Sequence, residues 1–125
     1  MDYRATIQKY MKEWVPKLFL QDWTITVAYD LHKDKKHDDC AACIQIGNNS
    51  PEYLDCRITF NAELIKSLTY TRKDVEKMVL HELLHLAFAH MIYRAKDSKA
   101  QKLAEETAIQ RFVKTLTKLY KGVDF

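Results

Sequence analysis

The chain of 125 residues has only two glycines and two prolines. That scarcity excludes a collagen-like repeat, a Pro- or Gly-rich linker and a turn-dense all-β chain, which need far more of both. It has three cysteines, Cys40, Cys43 and Cys56. So sparse and odd a set does not make a disulfide scaffold, and it fits a reducing, cytoplasmic compartment. No apolar run approaches the ~20 residues that a membrane-spanning helix needs. The start, Met1-Asp2-Tyr3-Arg4, lacks the basic-then-apolar pattern of a secretory signal. A charge of one sign is missing as well. Twenty basic and 17 acidic residues leave a net +3, a weak polyelectrolyte signal that does not call for nucleic acid. Internal repeats and low-complexity tracts are absent.

With 47% hydrophobic and 30% charged residues, the chain has the composition and length of one domain with its own core. Tyr3, Ile7, Tyr10, Met11, Trp14 and Val15 recur at spacings of three and four. They predict a helix over 3–15 that Pro16 ends or kinks. Trp23 to Tyr29 alternates large apolar with small or polar side chains, as a half-buried strand does. A charged stretch, 30–39, reads as a solvated loop. Two further strands follow over 41–46 and 55–60, separated by the turn residues Gly47-Asn48-Asn49-Ser50-Pro51. Thr71 with Asp74 has the form of a capping box, and Tyr70 with Val75 that of a hydrophobic staple. From there a helix is predicted to about Tyr93, its second half apolar nearly all round and therefore buried. A last helix spans about 99–121, with Gly122 as its stop signal and Ile109, Phe112, Val113, Leu116, Leu119 and Tyr120 as its apolar stripe. The order helix, three strands, helix, helix predicts an α+β fold, a small sheet packed on helices.

Inside the buried helix lies His81-Glu82-Leu83-Leu84-His85. Residues four apart on a helix share a face, so both imidazoles can hold one metal ion. Glu82 stands about 100° around the helix. From there it can flank the ion without ligating it and take a proton from a metal-bound water. With 5 histidines in 125 residues, chance would produce this pattern in about 1% of such chains. Zinc suits the ligand set and keeps a position for water when catalytic.

Two histidines need a third protein ligand. His90, five residues past His85, points about 140° away and reads as structural. Asp97, His32 and His37 are weaker options. The better source is Ala104-Glu105-Glu106-Thr107-Ala108-Ile109-Gln110 on the last helix. By helical angle Glu105 is centred on the apolar stripe. Glu106 instead has Gln110 one turn on, placed to hydrogen-bond a ligand histidine. Glu106 is favoured as third ligand, with Glu105 the alternate, and whichever is not the ligand is expected to face solvent or a lysine.

HELLH followed by a glutamate 20 or 21 residues after the second histidine resembles the gluzincin metallopeptidases, a branch of the zincins. The small size is similar to the minigluzincins and to phage-type metallopeptidases. The resemblance implies a zincin-like fold: an N-terminal helix, a short sheet with an antiparallel edge strand, the HExxH helix and a glutamate-bearing helix. It implies His81, His85 and Glu106 (or Glu105) as zinc ligands, Glu82 as general base, and a phage or prophage setting. The expected activity is peptide-bond hydrolysis on a peptide or protein substrate that pairs with the edge strand 41–46, with neither nucleic acid nor membrane as partner. The alternative is a zinc-binding regulatory or interaction module of the same fold without peptidase activity. Gln110 stands where larger members often carry an aspartate. No histidine or tyrosine matches the transition-state stabiliser, which leaves Tyr93 and Tyr120, and the second cleft wall of larger members is absent. His37, Cys40, Cys43 and Cys56 form a permitted zinc set, but Cys56 falls on the core face of its strand, so reduced thiols are expected. Lys96, Lys99, Lys102, Arg111, Lys114, Lys118 and Lys121 read as a solvated outer face rather than a nucleic-acid stripe.

Overall fold

A computed structural model describes residues 1–29, 40–46, 54–89 and 99–122. The elements run α1 (Tyr3–Lys17), β1 (Thr24–Ala28), β2 (Ala42–Ile46), β3 (Asp55–Phe60), α2 (Ala62–Ser67), α3 (Arg72–Ala87) and α4 (Lys99–Lys121). The protein is therefore a small α+β structure. Its three-stranded mixed sheet has the order β1-β3-β2, with β1 parallel and β2 antiparallel to the central β3. No helix among the described residues is long and apolar enough to cross a membrane.

Alternation of side chains sets which face of the sheet is buried. Cys56, Ile58 and Phe60 point into the core. Ala42, Ile44 and Ile46 stand opposite them in register and share that face. Against it lie Ile7, Tyr10, Met11 and Trp14 of α1 and Val75, Val79, Leu80, Leu83 and Leu86 of α3. The aromatic stripe of α1 is thus core, as its spacing predicts. β2 is an edge strand, and its pairing parity decides what that edge offers. The Asn61 N–H donates to the Ala41 carbonyl at 2.8 Å, which makes 41 and 61 a hydrogen-bonded pair. In an antiparallel ladder such pairs alternate with pairs whose backbone groups point outward. Ala42, Ile44 and Ile46 therefore turn their N–H and C=O groups away from β3, to an edge that no strand among the described residues covers.

Helix ends explain most departures from the sequence reading. α1 runs through Pro16 to Lys17, because a proline in the last turn forfeits one hydrogen bond without blocking closure. Leu20 N–H bonds the Val15 carbonyl (3.0 Å) and Phe19 N–H the Pro16 carbonyl (3.1 Å). This is a Schellman closure with Phe19 at φ 57°, a conformation glycine usually takes. α2, which the sequence reading lacks, ends in the same way on Thr69 at φ 55°. Its Tyr70 N–H bonds Ile65 at 3.3 Å and its Thr69 N–H bonds Lys66 at 3.1 Å. Asn61 caps the start of α2 through its side chain. Thr71 and Asp74 form the predicted capping box of α3. That helix ends at Ala87 with Phe88 as cap, short of Tyr93, and residues 90–98 lie outside the described part. On α4 the buried positions are Ile109, Val113 and Thr117, while Phe112, Leu119 and Tyr120 are exposed. The buried stripe is rotated from the expected one because the Thr117 hydroxyl satisfies itself on the Val113 carbonyl at 2.7 Å and so tolerates burial.

Candidate metal centre

α3 and α4 pack antiparallel, since His85 meets Glu105, His81 meets Gln110 and Glu76 meets Lys121. Lys121 fixes the C-terminal end of α4. Its ammonium is paired with Glu13 of α1 and lies 3.3 Å from the buried Glu76. Glu76 also accepts from the Trp14 indole N–H at 2.8 Å. The antiparallel packing then carries Glu105, Glu106 and Gln110 over the HELLH turns.

There the side chains divide into two sets. His81 Nε2 lies 3.0 Å from one Glu106 oxygen, and His85 Nε2 lies 3.2 Å from the other. The opposite ring nitrogens have partners of their own: His85 Nδ1 contacts Glu105 at 2.8 Å, and His81 Nδ1 contacts the Gln110 amide at 3.2 Å. Both Nε2 atoms thus converge on Glu106 while both Nδ1 atoms are anchored outside. His81, His85 and Glu106 each offer one ligand atom, all within 4.8 Å of one another. Tetrahedral zinc with bonds of ~2.0–2.1 Å needs donors about 3.3 Å apart; the donor set fits a divalent ion in chemistry, and the two imidazole–carboxylate distances are close to that spacing. With Nε2 reserved for a metal, Nδ1 carries the proton. Glu105 accepts it directly, and Gln110 accepts it through its carbonyl oxygen, with the amide rotated by a half turn. Such partners fix ring tautomer and orientation.

Of the two glutamates named from sequence, Glu106 is the one placed between the imidazoles. Glu105 faces neither solvent nor lysine, contrary to expectation. It is half-buried on His85, because its place at the centre of the apolar side of α4 directs it down onto α3. Glu82 is 8% exposed. Burial lifts its carboxyl from the ordinary 4.5 to about 7, with the His85 charge opposing and Glu106 adding. Burial also holds the His81 imidazole below its ordinary value; Glu106 pulls the other way and His85 adds to the fall.

A cleft of about 480 Å³ opens beside these groups. The start of β2 with the two residues before it (Cys40, Ala41, Ala42) forms one side, Leu68 and Tyr70 one end, and Asp74, Lys77, Met78, His81 and Glu82 of α3 the floor, with Gln110 closing it. Tyr70 and Lys77 belong to this wall although the sequence reading gave them no part in the site. The only signal for Lys77 is its place one turn before His81. Tyr120 is fourteen residues from Glu106, about 21 Å along the helix, and packs edge-on against Trp14 at 5.6 Å. It does not reach the site. Tyr93, His90, Asp97, His32 and His37 lie outside the described residues. Cys43 and Cys56 project from opposite faces of the sheet, so they cannot share an ion. All three cysteines are free thiols, and burial pushes Cys56 up to about 12. The cluster of His81, His85 and Glu106 is the one group among the described residues whose ligand atoms lie close enough together that they could hold a metal ion. Compared with protein-family models, curated proteins and solved structures, the chain finds no match.

Proposed function

We propose that this protein is a zinc-dependent peptidase of the zincin type. The observation that carries the reading is the convergence of two Nε2 atoms and one carboxylate on a single point, with a buried glutamate lining the same cleft. A zinc ion held by His81, His85 and Glu106 would supply Lewis acidity, polarising a peptide carbonyl and lowering the pKa of the water it binds.

The chain's own groups account for the rest. Glu82 takes the proton released at the cleft and returns it to the leaving amine, as a general base that then acts as general acid. Its poor solvation keeps its proton affinity close to that of its task at neutral pH. Gln110 and Glu105 hold the two rings in register. The open N–H and C=O groups of Ala42, Ile44 and Ile46 offer an extended peptide a strand to pair with, and Ala42 lines the cleft beside Glu82. Strand addition of this kind draws affinity from main-chain hydrogen bonds and leaves selectivity to the side-chain pockets.

Metal analysis of the purified protein is expected to give about one zinc per chain, falling sharply in His81→Ala and in His85→Ala. Glu82→Gln is expected to keep the zinc and lose peptide cleavage by at least about 100-fold. Cleavage undiminished in that variant would overturn the mechanism. A wild-type protein that binds zinc and cleaves no peptide would instead be a zinc-binding module of the same fold.

A further inference from the structure

We propose that the depression on the outer side of Glu106 is a carboxylate-binding subsite, so that the peptides taken by this site carry an acid within about two residues of the scissile bond. The identity of the ligand as a peptide rests on the peptidase reading. The binding chemistry does not.

The depression, of about 370 Å³, is lined by Glu106, Thr107, Gln110, Arg111 and Lys114. Gln110 also lines the main cleft, so the two spaces meet at its side chain, next to the carboxylate between the imidazoles. Thr107 and Arg111, and likewise Gln110 and Lys114, are four apart on α4 and therefore stand one above the other. The residues that line this one space thus carry four hydrogen-bond donors of the kind that hold a carboxylate: a hydroxyl, an amide, an ammonium and a guanidinium whose fork can bind both oxygens.

Among the described residues the charge there is uncommitted. Lys17 and Lys121 are tied to Glu13 and Glu76. Arg111 and Lys114 have no carboxylate within ion-pair distance among the described residues. The one acid among the described lining residues, Glu106, is occupied by His81 and His85. Two cations beside one committed anion favour a compact, singly charged ligand. A polyanion would also meet the Glu105 and Glu106 carboxylates on the same turn. Arg111 lies five residues past Glu106, about 7.5 Å of helical rise, a span that slightly more than two residues of an extended peptide cover. At physiological salt, with a Debye length of ≈ 8 Å, such an attraction acts over that range and not beyond.

The test uses the zinc-loaded Glu82→Gln protein, which holds peptide without consuming it, and three hexapeptides of otherwise identical sequence. One has an internal glutamate and an amidated C-terminus. The second has glutamine there and an amidated C-terminus. The third has glutamine and a free C-terminal carboxylate. Calorimetric titration is expected to show the first or the third binding at least about tenfold more tightly than the second. The arm that gains identifies the source of the carboxylate, side chain or chain end. Arg111→Gln with Lys114→Gln, both on the exposed side of α4, is expected to remove that advantage. Equal binding of the three peptides, no binding of any, or an advantage that survives the double substitution overturns the proposal. So does displacement of the acidic peptide by a lower concentration of a short single-stranded oligonucleotide. Failure of the peptidase reading has a separate signature, a wild-type protein that binds the acidic peptide selectively and leaves it uncut.

Discussion

Glu82→Gln is expected to stabilise the metal-free protein above neutral pH and to change nothing in acid. Glu82 is 8% exposed, and burial raises its carboxyl from 4.5 to about 7. Between those values the folded chain holds a proton that the unfolded chain has released. The Glu82 contribution to stability is then complete below about pH 4.5, declines as pH rises and levels off above about pH 7. At about 1.4 kcal/mol per pH unit, that interval amounts to about 3 kcal/mol. Glutamine keeps the shape and the hydrogen-bonding edge and carries no charge to desolvate, so the variant escapes this cost. In a chain of this length the gain corresponds to roughly 10 °C in Tm. Urea unfolding in the presence of a chelator, followed by the fluorescence of Trp14 and Trp23, measures it. The two proteins are expected to coincide near pH 4 and to differ by about 3 kcal/mol near pH 8, with the variant the more stable. Equal stability near pH 8, or a difference that persists undiminished in acid, refutes the reasoning. The same measurement bears on function. On the proposed peptidase reading, a carboxyl kept dry enough to hold a proton near neutrality would be a general base obtained at the expense of stability.

Lys121→Met removes the cation shared by Glu13 and the buried Glu76. It is expected to cost about 2 kcal/mol, read as a lower urea midpoint, and Glu76→Gln in the same chain should recover part of the loss because the Trp14 indole keeps its acceptor. Thr69→Gly relieves a β-branched residue at φ 55° on an exposed turn and should stabilise by about 1 kcal/mol; a destabilised variant would refute the strain argument. Cys56, buried and pushed up to about 12, should resist a thiol reagent near pH 8 in the folded protein and react once the chain is unfolded.

The linear pattern was enough to place the chemistry-bearing turns. His81, Glu82 and His85 depend only on helical periodicity and on an apolar surround, both local properties. The capping box at Thr71 and Asp74 and the core stripe of α1 were legible for the same reason. The last helix was legible in extent but not in rotation. Its six candidate apolar residues cover too wide an arc to choose a buried face, and Thr117 competes with them by bonding its own helix. Helix ends were also hidden. A chain with two glycines closes α1 and α2 on Phe19 and Thr69, which give no stop signal, and α2 is too short to show a period.

By itself, then, the sequence determined an α+β chain with a histidine pair on a buried helix and two glutamates on a later one. Only the tertiary structure decided which of those glutamates lies between the imidazoles. Adjacent residues on a helix point about 100° apart, so their roles depend on how α4 is rotated against α3. That rotation is set by Ile109, Val113 and Thr117 in the core and by Lys121 clasped between α1 and α3. The same packing decided that β2 turns Ala42, Ile44 and Ile46 to an open edge, because ladder parity depends on which residues of β3 stand opposite.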